Sequence, residues 1–185
     1  MAARRLRGMP AEVMTKTVHP MPPDIDESAG PVFREAMAQV ASAVHLVTTT
    51  TEAGRFGLTA TAFSSVSDAP PTVLVCVART SRTLASILES GIFCVNTLAA
   101  DDVELAEIFA SRRGILGEER FATRRWAGLA TGAPVLETAL AAFDCRLVAT
   151  HDIASHRVLI GEVAALGGQG AGASLIYRRR RFESV

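Results

Sequence analysis

Residues 57–81 read GLTATAFSSVSDAPPTVLVCVARTS, and the order of residue types along this stretch decides the architecture. LTATAFSSVS (58–67) alternates Leu58, Ala60 and Ala62 with Thr59 and Thr61, which predicts a strand with one small-residue face. Asp68-Ala69-Pro70-Pro71 ends it, because a double proline cannot continue a ladder. TVLVCVA (72–78) is apolar on both faces and predicts a central, buried strand. A helix is expected from Ser81 to Glu89, with Leu84, Ile87 and Leu88 on one side.

Upstream, VHLVTTT (44–50) is a β-branched strand and TEAGRFG (51–57) carries the turn. Before it, Phe33, Met37, Val40 and Val44 recur at helical spacing, with Pro31 suited to the helix start. Five prolines fall at or before Pro31, so residues 1–30 are expected to form a flexible arm and 31–185 the folded domain.

Downstream, IFCVNTL (92–98) reads as a strand, and Asp101 and Asp102 cap a helix running to about Ala110. Residues 111–134 are loop-rich and hold Trp126. FDCRLVATHDI (143–153) and HRVLIGEVAAL (156–166) form two long antiparallel strands around a tight connection. GGQGAG (167–172) reads as a hairpin loop rather than a dinucleotide loop, since the strand-like SLIY follows it instead of a helix. Arg178–Arg181 reads as a solvated edge. Short strands with helices in the gaps predict a mainly β protein. A closed, mostly antiparallel barrel with peripheral helices is favoured over a doubly wound parallel sheet.

With 19 basic and 19 acidic residues, the chain has no net charge to attract nucleic acid or an anionic membrane. Aromatics make up 5% of it, too few for base-stacking platforms. No apolar run has the length of a membrane span, and MAARRLRGMP lacks the apolar stretch of a secretory signal. Cys76, Cys94 and Cys145 lie apart in apolar runs and read as buried core thiols, with a cytoplasmic location the expectation. His151 and His156 lack a third ligand at metal-binding spacing, so no metal is assigned.

Chemistry concentrates in residues 54–97. A strand poor in side chains lets a flat ring approach, and its backbone amides can hydrogen-bond the ring's heteroatoms. Arg79-Thr80-Ser81-Arg82-Thr83 joins guanidinium and hydroxyl groups to a helix N-terminus, a sound phosphate seat. Plain N-capping by Thr80 and Ser81 is the competing reading.

In this order, FREAMAQVASAVHLVTT, GLTATAFSSVSDAPPTVLVCVARTS, FCVNTL, HRVLIGEV and LIYRRRRF resemble the flavin reductase components of two-component flavin-dependent monooxygenases, the flavin-reductase-like split barrels. The resemblance spans about residues 32–182. It implies an antiparallel split β-barrel and a homodimer with flavin sites near the subunit interface. Thr59, Ala60, Thr61 and Ala62 would line the isoalloxazine, with Ser64 and Ser65 near the cofactor. Arg79, Thr80, Ser81 and Thr83 match the phosphate-holding segment, and Asn96 the asparagine of an FxVN pattern close to the flavin. His156 matches the histidine of a Gly-Asp-His motif facing the nicotinamide, although Ala154-Ser155 precede it here and the acidic residue is missing. Phe182 stands at a tyrosine-like position flanking the nicotinamide pocket.

The implied activity is NAD(P)H:flavin oxidoreduction, with FAD or FMN accepting hydride and free reduced flavin passing to a separate monooxygenase. NADH is expected ahead of NADPH, since no arginine cluster demands a 2′-phosphate. Two alternatives stay open: a flavin-bound enzyme that reduces another acceptor directly, and a non-catalytic flavin or haem binder.

Overall fold

The computed structural model describes residues 29–168 and 170–185, so the expected arm lies outside the described residues except for Ala29 and Gly30. Those two residues open helix α1 (Ala29–Ala38), placing Pro31 in its first turn. The chain continues through β1 (Ser42–Ala43), β2 (His45–Thr51), β3 (Gly54–Ala60), β4 (Phe63–Asp68) and β5 (Pro71–Ala78). Helix α2 (Arg82–Ser90) leads to β6 (Ile92–Thr97), a 3-10 turn and helix α3 (Val103–Phe109). After a second 3-10 turn (Gly117–Phe121) come β7 (Trp126–Gly128), β8 (Pro134–Leu136), β9 (Ala141–Ile153), β10 (His156–Gly167), β11 (Leu175–Arg178) and β12 (Arg181–Ser184).

Every ladder is antiparallel. The main sheet has seven strands in the order β3-β2-β6-β9-β10-β5-β4. The expected single strand over 58–67 is therefore two strands, β3 and β4, on opposite edges of one sheet. Thr61 and Ala62 carry the chain across, and no ladder joins the two edges. The barrel is split there rather than closed. The expected turn also shrinks to Glu52-Ala53, because GRFG pairs with the threonines of β2.

Burial follows from this order. β2 and β6 lie inside the sheet with covered faces, so Leu46 joins one apolar cluster and Val47 the other. β5 lies next to the edge and alternates: Val73, Val75 and Val77 are buried while Leu74 and Cys76 are half-buried. It is not the doubly covered strand its composition predicts. Leu84 and Ile87 of α2 pack on Val47, Val75 and Phe93 inside the curved sheet, while Leu88 stays exposed. Fully burying one such aliphatic side chain stabilises the fold by about 1.5–3 kcal/mol.

Gly91 ends α2 in the left-handed conformation and returns its N–H to the Ile87 carbonyl. Asp102 does not cap α3; its carboxylate, nearly buried, accepts from Arg124 Nε at 3.1 Å.

One further expectation changes. GGQGAG is not a hairpin loop, since β10 and β11 belong to different sheets; Gly170 N–H donates to the Ala139 carbonyl as the chain crosses between them. The arginine run is a solvated edge as expected, exposed at Arg179–Arg181, and it is ordered as a hairpin. Arg179 and Arg180, both at positive φ, turn the β11–β12 hairpin. Its side chains reach α1 and the residue just beyond it, Arg180 to Glu35 at 2.5 Å and Arg179 to Gln39 at 3.1 Å. The face of α1 expected to be core is exposed at Phe33, Met37 and Val40, whereas Val44 beyond the helix is buried.

Candidate flavin and nicotinamide site

β3 is an edge strand, so alternate backbone groups along its outer side lack a ladder partner. At its end the carbonyl of Thr61 accepts from Phe63 N–H and that of Ala62 from Cys76 N–H. The N–H groups of Thr61 and Ala62 have no acceptor among the described residues, and both residues are exposed. Two free amide donors therefore stand on a crossing with little side-chain cover.

That crossing floors a cavity of about 390 Å³. Thr59–Ala62 form one side, Cys76–Ala78 and His156 another, and Phe109–Ser111 the third. A second cavity of about 360 Å³ adjoins it, lined by Gly57, Ser81–Thr83, Leu116 and Arg120. Leu58, Ser81, Phe109 and Ser111 belong to both, making one elongated groove.

His156 starts β10 opposite Ala78 and Ile153, so the hairpin register brings it over the end of β5. Its Nδ1 lies 2.9 Å from Ser155 Oγ, leaving Nε2 for a ligand. Ser155 thus supplies the local partner that the missing acidic residue does not. The Phe109 wall is set by aromatic packing: Phe109 meets Phe121 edge-on at 5.0 Å and Trp126 at 5.8 Å, while Trp126 Nε1 donates to the Phe121 carbonyl at 3.0 Å. Gly57 is required beneath it, because a Cβ there would lie 2.5 Å from the Phe109 ring.

Of the residues singled out from sequence, Thr59, Ala60, Thr61, Ala62, Ser81 and His156 converge on the first cavity, and Thr83 on the second. The Thr59 hydroxyl is committed to the Ala106 carbonyl at 2.7 Å, anchoring α3. The Ser81 side chain makes no capping bond, so simple N-capping is not its role.

Others line neither cavity. Ser64 and Ser65 are exposed on edge strand β4. Arg79 and Thr80 form the turn before α2, with the Arg79 guanidinium facing the Ala154 carbonyl at 3.4 Å. Asn96 is fully buried: its amide donates to the Leu46 carbonyl and Thr48 Oγ1, and its Oδ1 accepts from Leu136 N–H at 2.7 Å. It staples β2, β6 and β8 together, with no atom left for a ligand. Phe182 packs edge-on against Tyr177 at 5.1 Å beneath the Arg112 guanidinium. Tyr177 in turn lines a third cavity with Phe33, Met37 and Thr61.

Cys76, Phe109, Ser111 and Arg120 are site residues that sequence reading missed. Cys76 looked like core because its strand is uniformly apolar, and the other three depend on how the segment after α3 folds back.

Residues 37–185 match the model of the flavin reductase like domain. The chain belongs to the flavin reductase-like family. Among flavin reductase relatives, the FMN reductase (NADH) RutF 2 of Methylorubrum extorquens is 50% identical over 159 residues, covering 86% of this chain and 91% of the relative. The RutF protein of Variovorax paradoxus, also named an FMN reductase (NADH), is 43% identical over 83% of this chain and 84% of its own. BorF, the flavin reductase component of a bacterial two-component tryptophan halogenase, superimposes with a TM-score of 0.77 at 32% identity, over 84% of this chain and 97% of that one. A Streptomyces globisporus NADH:FAD oxidoreductase in complex with NAD and FAD fragments gives 0.76 at 26% identity, over 85% and 93%.

Proposed function

We propose that this flavin reductase takes hydride from NADH and passes it to FMN or FAD, releasing reduced flavin to a separate monooxygenase. The observation that carries the reading is the pair of free amides at Thr61 and Ala62, on a side-chain-poor floor facing a groove that also holds His156. A bound flavin would supply the hydride-accepting N5, and the Thr61 and Ala62 N–H groups would stabilise the negative charge that reduction spreads over N1 and the O2 carbonyl.

The groove's length suits the remainder of the molecule. β3 would hold the ring and ribityl chain, and Ser81, Thr83 and the N-terminus of α2 would hold the phosphate end, since unpaired helical N–H groups favour an anion. His156, held through Nδ1 by Ser155, positions the nicotinamide at the opposite end. No proton relay is required of it. The naming of RutF relatives as NADH-dependent FMN reductases supports NADH and FMN. Ser64, Ser65, Arg79, Thr80 and Phe182 lie outside the groove, and in this reading they would meet the flavin only in an assembled dimer. The exposed Phe33, Met37 and Val40 beside Thr61 support a homodimer whose second subunit covers the flavin crossing. We infer a cytoplasmic location, which suits a reaction that draws on NADH.

Purified protein mixed with NADH and excess FMN or FAD should oxidise NADH only when flavin is added. No oxidation with either flavin and either nicotinamide nucleotide would refute the reading. His156→Ala should raise KM for NADH roughly tenfold, the loss of about one hydrogen bond to a ligand, with a smaller change in kcat. Abolished turnover with unchanged NADH binding would overturn the positioning role.

A further inference from the structure

The structure assigns Arg120 to reading the phosphate at the end of the flavin's ribityl chain, from the wall of the groove opposite Ser81 and Thr83. This rests on the flavin reading above and adds a residue that discriminates phosphorylated flavin from riboflavin.

Arg120 is half-buried at the end of the groove, on the 3-10 turn Gly117–Phe121. The turn is fastened to β3: Arg55 pairs with Glu118 and lies 4.6 Å over the Phe121 ring. Within this frame the Arg120 guanidinium is aimed by neutral acceptors only. Nε donates to the Ile115 carbonyl at 3.0 Å, Nη2 to Ser111 Oγ at 2.9 Å, and Nη1 to the Gly57 carbonyl at 3.5 Å.

A guanidinium carries five N–H donors, so two stay available while the group is held in place. Its charge is also left unbalanced. Arg120 meets no carboxylate within 4 Å among the described residues, and neither does Arg82, which lines the same cavity; of the two, Arg82 is exposed and Arg120 is half-buried and held by neutral acceptors. A partly desolvated cation without a counter-charge calls for an anion.

The same cavity offers a second, independent polar group. Thr83 is 95% buried as a residue, and its hydroxyl, which makes no hydrogen bond among the described residues, is open to that cavity rather than sealed in the core. It stands in the first turn of α2, a nine-residue helix whose N-terminal amides favour negative charge. Cation, unpartnered hydroxyl and helix terminus around one cavity suit a tetrahedral phosphate ester, which accepts from several directions at once. A riboflavin hydroxyl would leave the Arg120 charge uncompensated.

The test measures dissociation constants of FMN, FAD and riboflavin for the wild-type protein, Arg120→Gln and Arg120→Lys, with thermal unfolding as the check on folding. Arg120→Gln should weaken FMN roughly ten- to a hundred-fold, the loss expected for a charge-assisted pair, and riboflavin by less than about threefold. Arg120→Lys should fall between, since it keeps the charge without the fork. Equal losses for FMN and FAD support recognition of the phosphate attached to the ribityl chain; a loss for FMN alone supports recognition of the terminal dianion.

Equal weakening of FMN and riboflavin would overturn the assignment in favour of a structural role, and unchanged FMN affinity would overturn it outright. Should Arg120→Gln fail to fold, wild-type affinity against salt decides: a steeper decline for FMN than for riboflavin is expected, and parallel slopes refute the proposal. Wild-type protein that binds none of the three flavins removes the flavin reading itself, a result distinguishable from these.

Discussion

His45 shows how a single buried residue ties this fold to pH. It starts β2, is 4% exposed, lies 4.6 Å from the Phe63 ring, and its Nδ1 sits 3.1 Å from Thr97 Oγ1. Burial lowers its pKa from 6.5 to about 4, so the folded protein keeps the imidazole neutral. The unfolded chain binds a proton as pH falls through 6.5, whereas the folded chain resists until about 4. Stability present above pH 6.5 should therefore be lost across that window, by roughly 3 kcal/mol, and His45→Gln should flatten the decline. Urea unfolding at neutral and mildly acid pH measures it.

The three cysteines differ in the same way. Cys94 and Cys145 are fully buried, and burial pushes the Cys145 thiol up to about 12, whereas Cys76 is half-buried in the groove. A thiol-alkylating reagent should modify Cys76 first, with saturating FMN slowing the reaction, as peptide mapping would reveal. Equal labelling with and without FMN would contradict the placement of the flavin ring.

At the level of elements, the crossing from β3 to β4 and the aromatic wall of α3 depend on each other. Gly57 lets Phe109 close against β3, and Phe109 then lines both cavities. Gly57→Ala should force the ring outward at a cost of about 1–3 kcal/mol, the usual range for overpacking. Flavin affinity should fall with thermal stability; full FMN binding in a destabilised variant would show that the groove does not need Phe109. Gly161 plays a similar part deeper in the sheet, where Phe93 and Cys145 fill the space a Cβ would take.

On the scale of the whole molecule, α1 is the unusual feature. Glu35 on its polar side and Gln39 just beyond its end fasten it to the β11–β12 hairpin, yet Val32, Phe33 and Met37 of the helix and Val40 after it are 48–70% exposed. Helical periodicity located the helix as far as Ala38, short of Val40 and Val44, and the surface it predicts to be buried has no cover among the described residues. If a second copy supplies the cover, Phe33→Glu with Met37→Glu should convert a dimer to a monomer on sedimentation and weaken flavin binding. A wild-type protein that sediments as a monomer would refute this reading.

The local order of residue types was enough to mark the long β9–β10 pair, the tight turn before His156, the strand of β6 and the small-residue floor of the groove. These depend on short-range alternation and turn chemistry, which neighbours in sequence dictate. Tertiary structure alone decided that residues 58–67 divide between opposite sheet edges, since nothing local distinguishes a crossing at Thr61-Ala62 from a continuous strand. It also decided that Asn96 is a buried staple, because Leu136, its closest partner, is forty residues away. Arg120 enters the site for the same reason: the loop that carries it has no periodicity, and long-range contacts, the Arg55–Glu118 pair and its own bond to the Gly57 carbonyl of β3, bring its charge to the groove. The chain's own alternation thus sets where a flat ring can lie, and long-range packing sets which charges and hydroxyls surround it.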